Sequence, residues 1–173
     1  MSEKHDYGNG SVVFEDFSID VKNAIKEKAL KFLKEAGEEI TATTTRNTVR
    51  KTGKTAGSWE SPVVDEAGLA VHMGSNYENA IWEEFGTGEF AEKGDGRKGW
   101  WVYIEGSKGS GSGGKSYSSL GEAKRAMAFL RKKGFNAHIT KGKHARHPFK
   151  RAFNSCKNEI IKHAEQIFGE LGS

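Results

Sequence analysis

From Pro148 onward the chain carries its longest apolar repeat. Phe149, Ala152, Phe153, Cys156, Ile160, Ala164, Ile167 and Leu171 recur at the spacing of one face of an α-helix. Pro148 stands where a first-turn proline belongs, because its missing N–H costs nothing there. A helix with one apolar face gains most of its stability by covering that face, so this stripe demands a partner surface. A second stripe near the other end makes the same demand: Val21, Ile25, Ala29, Phe32, Leu33, Ala36 and Ile40, opened by Ser18 or Asp20. That helix is expected to end near Thr43, where β-branched threonines weaken it. Phe153 is expected deep in the core, where truncation to alanine costs about 3–5 kcal/mol.

Between the two helices the periodicity shortens. Trp59 to Val64 and Leu69 to Met73 read as a hairpin around Asp65-Glu66-Ala67-Gly68, and Trp100 to Glu105 alternates as a third strand. Asn76 to Phe85 reads as a short helix stopped by Gly86. Ser119-Leu120-Gly121-Glu122 is a capping box opening a helix with the stripe Leu120, Ala123, Met127 and Leu130. Gly134 ends it, and Phe135 to Thr140 is a fourth strand. The predicted class is α+β: a small, mostly antiparallel four-stranded sheet packed by long N- and C-terminal helices, with an inserted strand-helix-strand piece from Trp100 to Thr140.

Composition bounds the rest. With 173 residues, 35% of them hydrophobic and 22 of them glycine, the chain supports one modest core and long polar loops. One domain over residues 18–173 is expected, behind a loose acidic arm over residues 1–17. Residues 86–99 and 106–117 are expected to be mobile loops. No apolar run approaches the ~18 residues of a membrane span. The polar, acidic start does not read as a signal peptide. Cys156, the single cysteine, excludes an intramolecular disulfide and points to a reducing cytosol. The net charge of +4 is small but polarised. Glu3, Asp6, Glu15, Asp16 and Asp20 face only Lys4 in the first twenty residues, whereas residues 131–151 hold many cations and no acid.

Two chemical motifs invite a test. Gly109 to Ser116 satisfies the G-x-x-x-x-G-K-[ST] phosphate-loop pattern. That chemistry needs a helix N-terminus at the Lys-Ser pair, yet the capping box starts the helix at Ser119. His144, His147, Cys156 and His163 have metal-ligating side chains but not the tight local pairs of a zinc site. Glu83-Glu84 and Glu38-Glu39 point to different helix sides and make poor acid–base dyads. No catalytic residue, cofactor or metal is expected.

Three segments together resemble a known family. Thr52-Gly53-Lys54-Thr55-Ala56-Gly57-Ser58 resembles its Thr-Gly-x-Leu-x-x-Ser element. Glu84-Phe85-Gly86-Thr87-Gly88, after Tyr77 and Ala80, resembles its Tyr-Ala…Glu-Phe-Gly-Thr element. Pro148-Phe149-Lys150-Arg151-Ala152 resembles the Pro-Phe-Leu-x-Pro-Ala that opens its final helix. The family is the tail-completion, or head–tail joining, minor proteins of long-tailed bacteriophages (HK-ninety-seven gp-ten-like), and order and spacing match from about Val21 to Leu171.

The resemblance implies a non-enzymatic virion protein that completes the tail as a ring of six subunits in the neck. Its neighbours would be head connector proteins and tail terminator or tail-tube proteins, with viral DNA passing through the lumen without sequence-specific contact. Its site would be the virion neck, and the host cytoplasm during assembly. The candidate partner-binding residues are Glu84, Phe85, Gly86, Thr87, Phe90, Arg97, Trp100, Lys143, Arg146, Lys150 and Arg151. The alternative from another class is a small nucleic-acid-binding protein using residues 131–151.

Overall fold

The first long helix, α1, runs Ser18–Asn47 and continues past the threonines expected to stop it. Thr44 Oγ1 donates to the Ile40 carbonyl at 2.7 Å and Thr45 Oγ1 to the Thr41 carbonyl at 3.0 Å. These hydroxyls bond one turn back within the helix, so their polar groups are satisfied without breaking it. The computed structural model describes residues 3–6, 13–16, 18–106 and 114–169. Before α1, β1 (Glu3–Asp6) and β2 (Val13–Asp16) pair antiparallel. The expected loose arm therefore contains a two-stranded ladder.

The chain clusters into two compact units, Met1–Asn47 with Trp59–Gly74 and Arg151–Ser173, and Thr48–Ser58 with Ser75–Lys150. In the first, α1 packs on a hairpin of β3 (Val63–Asp65) and β4 (Ala70–His72). Gly37 makes the approach possible: a Cβ there would lie 2.7 Å from Pro62 Cβ and 2.9 Å from Val71 Cγ2. The final helix, α4 (Pro148–Gly169), runs antiparallel to α1. Cys156 Sγ meets Thr43 Oγ1 at 3.5 Å, and Phe32 sits edge-on to His163 and Phe168. The buried residues of the two helices within this unit are Ala36, Gly37, Ile40, Thr44, Ala152 and Cys156.

On α4 the buried positions of the stripe, Ala152 and Cys156, carry small side chains. Phe153 is 46% exposed, which corrects its expected place in the core. It follows Ala152 by one residue, about 100° around the helix, and so faces away from the contact line. Leu171 lies outside the described residues.

In the second unit a three-stranded sheet has the order β7 (Ser116–Tyr117), β6 (Trp100–Ile104), β8 (Ala137–Thr140), antiparallel throughout. Helix α3 (Leu120–Lys132) packs on β6 and β8, with Ala123 and Ala137 fully buried. Its Ser119 cap forms, Ser119 Oγ accepting from Glu122 N at 3.2 Å, while the Glu122 carboxylate accepts from Ser118 Oγ at 3.2 Å in place of the reciprocal bond of a capping box. It closes with Gly134 at φ +88° and bonds from Gly134 N to Arg131 O and from Phe135 N to Leu130 O. Helix α2 (Glu78–Phe85) and the pair β5 (Thr87–Gly88) and β9 (Gly142–Lys143) complete the unit.

The class is α+β, but the strands form small antiparallel sheets of two and three strands in place of one four-stranded sheet. The 63–72 hairpin belongs to a different unit from β6 and β8. Pro62, just before β3, has no N–H to extend a ladder, which keeps that hairpin short.

Candidate functional site

The first turn of α4 leaves backbone N–H groups without partners inside the helix. The residue before Pro148 is His147, which is not a capping residue, and it sits at φ +51°, an uncommon backbone conformation for a non-glycine side chain. The missing cap comes from a residue 65 positions earlier: Glu84 accepts from Phe149 N at 2.9 Å and from Lys150 N at 3.0 Å. Its carboxylate is buried, and it also places negative charge at the positive end of the helix dipole.

The neighbouring Glu83, on another side of α2, is also buried and binds the chain leading into α4. Its carboxylate pairs with the Lys143 ammonium through one oxygen and lies 3.5 Å from Arg146 through the other. Its backbone carbonyl accepts from Arg146 N at 2.8 Å and His147 N at 3.3 Å. His147 is held further by Glu92 at 3.2 Å. The two adjacent glutamates thus form two parts of one clasp, in which Glu83 Oε2 is buried beside the Arg146 guanidinium without a hydrogen bond.

Below the clasp, β5 and β9 cross at a distance that only glycine tolerates. A Cβ on Gly142 would lie 2.0 Å from the Thr87 carbonyl oxygen, and one on Gly88 would lie 2.2 Å from that of Lys141. Gly86, at φ +73°, meets Phe90 O and two backbone atoms of residues 143–145 in the same way. Thr87 Oγ1 accepts from Lys143 N at 3.0 Å.

Residues 86–99, expected to be mobile, are folded onto this crossing. Phe90 N and Ala91 N bond the carbonyls of Thr87 and Gly88, and Glu92 N bonds that of Phe85. Glu89 ties both ends, pairing with Lys141 at 3.1 Å and accepting from Gly99 N at 3.1 Å. The Lys141 ammonium and the Gly99 N–H hold its carboxyl below the ordinary carboxylate value. Gly86, Gly88, Gly96 and Gly99 serve close backbone approach rather than freedom, whereas Gly94, at φ +70°, has nothing within 4 Å of an added Cβ.

The proposed partner-binding residues therefore fall into distinct roles. Glu84 is buried, Gly86 and Thr87 are half-buried, and Phe90 stacks on His144 with ring centroids 3.8 Å apart. Lys143 and Arg146 face Glu83. Trp100 lies under the Lys141 ammonium, and Arg97 lies over Trp101 while donating to Ser116 Oγ and the Gly114 carbonyl. Phe85 and the side chains of Lys150 and Arg151 are exposed, and Arg151 belongs to the other unit. Sequence reasoning missed the capping role of Glu84 and the loop-binding role of Glu89.

Neither chemical motif assembles its chemistry. Ser116 opens β7, α3 starts at Leu120, and Lys115 lies over the Tyr117 ring, so no helix N-terminus meets the Lys-Ser pair. Residues 109–113 of that motif lie outside the described residues. His144, His147, Cys156 and His163 have the separate partners given above, and among the described residues no three metal-ligating side chains converge. Among the described residues no helix is long and apolar enough to cross a membrane. No protein-family model, curated protein or solved structure matches this chain.

Proposed function

We propose that this chain is a non-enzymatic bacteriophage virion subunit that completes the tail and joins it to the head connector as part of a ring in the neck. The observation that carries the reading is the clasp of Glu84 on the amides of Phe149 and Lys150. It joins two of the three segments on which the family resemblance rests. Glu84-Phe85-Gly86-Thr87 and Pro148-Phe149-Lys150 are thereby one structural device, and their joint occurrence has a physical cause. Exposed Ile81 and Phe85 on α2 and Phe153 and Ile161 on α4 add support, since surface apolar side chains suit a subunit that buries them in an assembly.

The charge pattern favours this reading over nucleic-acid binding through residues 131–151. Lys141 is paired with Glu89, and Lys143 and Arg146 with Glu83, so part of that basic stretch is neutralised within the chain. A phage genome deleted for this chain is expected to yield full heads and separate tails by electron microscopy of the lysate. Normal, infectious particles would overturn the proposal.

A further inference from the structure

Among the described residues, the sheet order β7-β6-β8 leaves one side of β8 without a neighbouring strand. The hydrogen bonding fixes which groups face that side. Glu105 N donates to the Asn136 carbonyl at 2.8 Å, and the register continues with Ile104 opposite Ala137, Tyr103 opposite His138 and Val102 opposite Ile139. Bonded and non-bonded pairs alternate along an antiparallel ladder. His138 and Thr140 therefore bond to β6, whereas the amide and carbonyl groups of Ala137 and Ile139 point outward.

A row of outward N–H and C=O groups is a template for another strand. The same edge on a second copy always fits it, because two identical antiparallel edges match about a two-fold axis. With that axis at His138, the Ala137 carbonyl would accept from Ile139 N of the second copy, and the reverse bond would form symmetrically.

Arg131 occupies the acceptor that this pairing needs. It stands in the last turn of α3, and its Nε donates to the Ala137 carbonyl at 2.9 Å. The chain reverses between them at Gly134, whose φ of +88° brings β8 back beside the end of the helix. One side chain thus satisfies an outward carbonyl and sets a positive charge on the edge, and charged side chains on an edge oppose strand addition. The strand itself is only four residues long, Ala137–Thr140, which limits what a second copy could gain.

We propose that Arg131 guards the β8 edge against pairing with the β8 edge of a second copy. The guard is a contact within one chain and is independent of the neck reading.

The test compares Arg131→Ala with wild type by sedimentation velocity over a concentration series and by hydrogen exchange of the Ile139 amide. Arg131→Ala is expected to associate about tenfold more tightly, the scale of two recovered hydrogen bonds, one at each copy's Ala137 carbonyl. Its Ile139 amide is expected to gain protection as concentration rises, whereas in wild type that amide exchanges at the same rate at every concentration. Adding Ile139→Pro to Arg131→Ala is expected to abolish the gain, since proline removes the outward N–H and leaves the bonds to β6 in place. Arg131 is exposed, so its truncation leaves the packing of α3 intact, and far-UV circular dichroism verifies each fold.

An Arg131→Ala chain whose association and Ile139 exchange match wild type would overturn the proposal. So would added association that survives Ile139→Pro, or a wild-type Ile139 amide already protected in step with concentration. Assembly through any other surface leaves the Ile139 amide unchanged, and the deletion lysate judges the neck reading separately.

Discussion

Glu84 accepts two amide hydrogen bonds at the start of α4, from Phe149 N and Lys150 N, and its loss removes both. Glu84→Ala is expected to destabilise the protein by about 1–3 kcal/mol, the range for hydrogen bonds to a charged group. Glu84→Gln keeps one amide oxygen as acceptor and should fall between. Urea denaturation checks both, and a midpoint unchanged in Glu84→Ala would show that the clasp does not stabilise the fold. The seam between α1 and α4 yields the contrasting case. Phe153 is half exposed, so Phe153→Ala is expected to cost less than about 2 kcal/mol, well short of the loss on emptying a fully buried site. A loss of about 4 kcal/mol would place Phe153 in a core after all. The helical stripe marked the buried side of α4 correctly at Ala152 and Cys156. It did not distinguish seam from flank, because periodicity reports direction only to within a residue or so, and the width of the contact depends on the facing helix.

At the scale of the elements, residues 86–99 depend on a few specific ties. Glu89 holds both the Lys141 ammonium and the Gly99 amide, and its carboxyl is held below its ordinary value of 4.5. A carboxyl lowered in the folded state contributes stability that is complete above its unfolded value and is lost as pH falls through the folded one. Hydrogen exchange of Glu89 to Gly99 is therefore expected to accelerate as pH drops below about 4.5, after correction for the intrinsic pH dependence of exchange. In Glu89→Gln that pH dependence is expected to disappear, and an unchanged acid response in the variant would remove Glu89 from its role. The crossing of β5 and β9 is more stringent. Gly142→Ala puts a Cβ 2.0 Å from the Thr87 carbonyl oxygen, so the backbone must shift. A thermal midpoint within a degree or two of wild type would contradict that geometry.

Over the whole molecule, connectivity matters more than either unit's own size. The chain passes between the two units after Asn47, Ser58, Gly74 and Lys150, and α4 begins in one and continues in the other. Neither unit is a continuous stretch that can be removed without cutting the other. Unfolding is expected as one cooperative transition, with calorimetric and van't Hoff enthalpies equal. Two resolved transitions would show that the units unfold separately.

Local patterning was enough to locate the four α-helices among the described residues, the 63–72 hairpin, β6 and β8, and the Ser119 cap with its Gly134 terminus. Each depends on side-chain period or on a cap within a few residues, which is information carried in adjacent sequence. Ala145-Arg146-His147 before Pro148 contains no Ser, Thr, Asp or Asn, so α4 has no local capping side chain to supply an acceptor. Which residue supplied it was decided only in three dimensions, since Glu84 lies 65 positions away. The same holds for Gly86 and Gly88, which in sequence belong to a segment expected to be mobile, and for their neighbour Gly142. In the fold they allow two backbones to touch, because a missing Cβ gives conformational freedom in an isolated loop and close approach where another strand is present. The division of the strands into separate small sheets was likewise tertiary, because strand period says that a residue pairs but not with which neighbour.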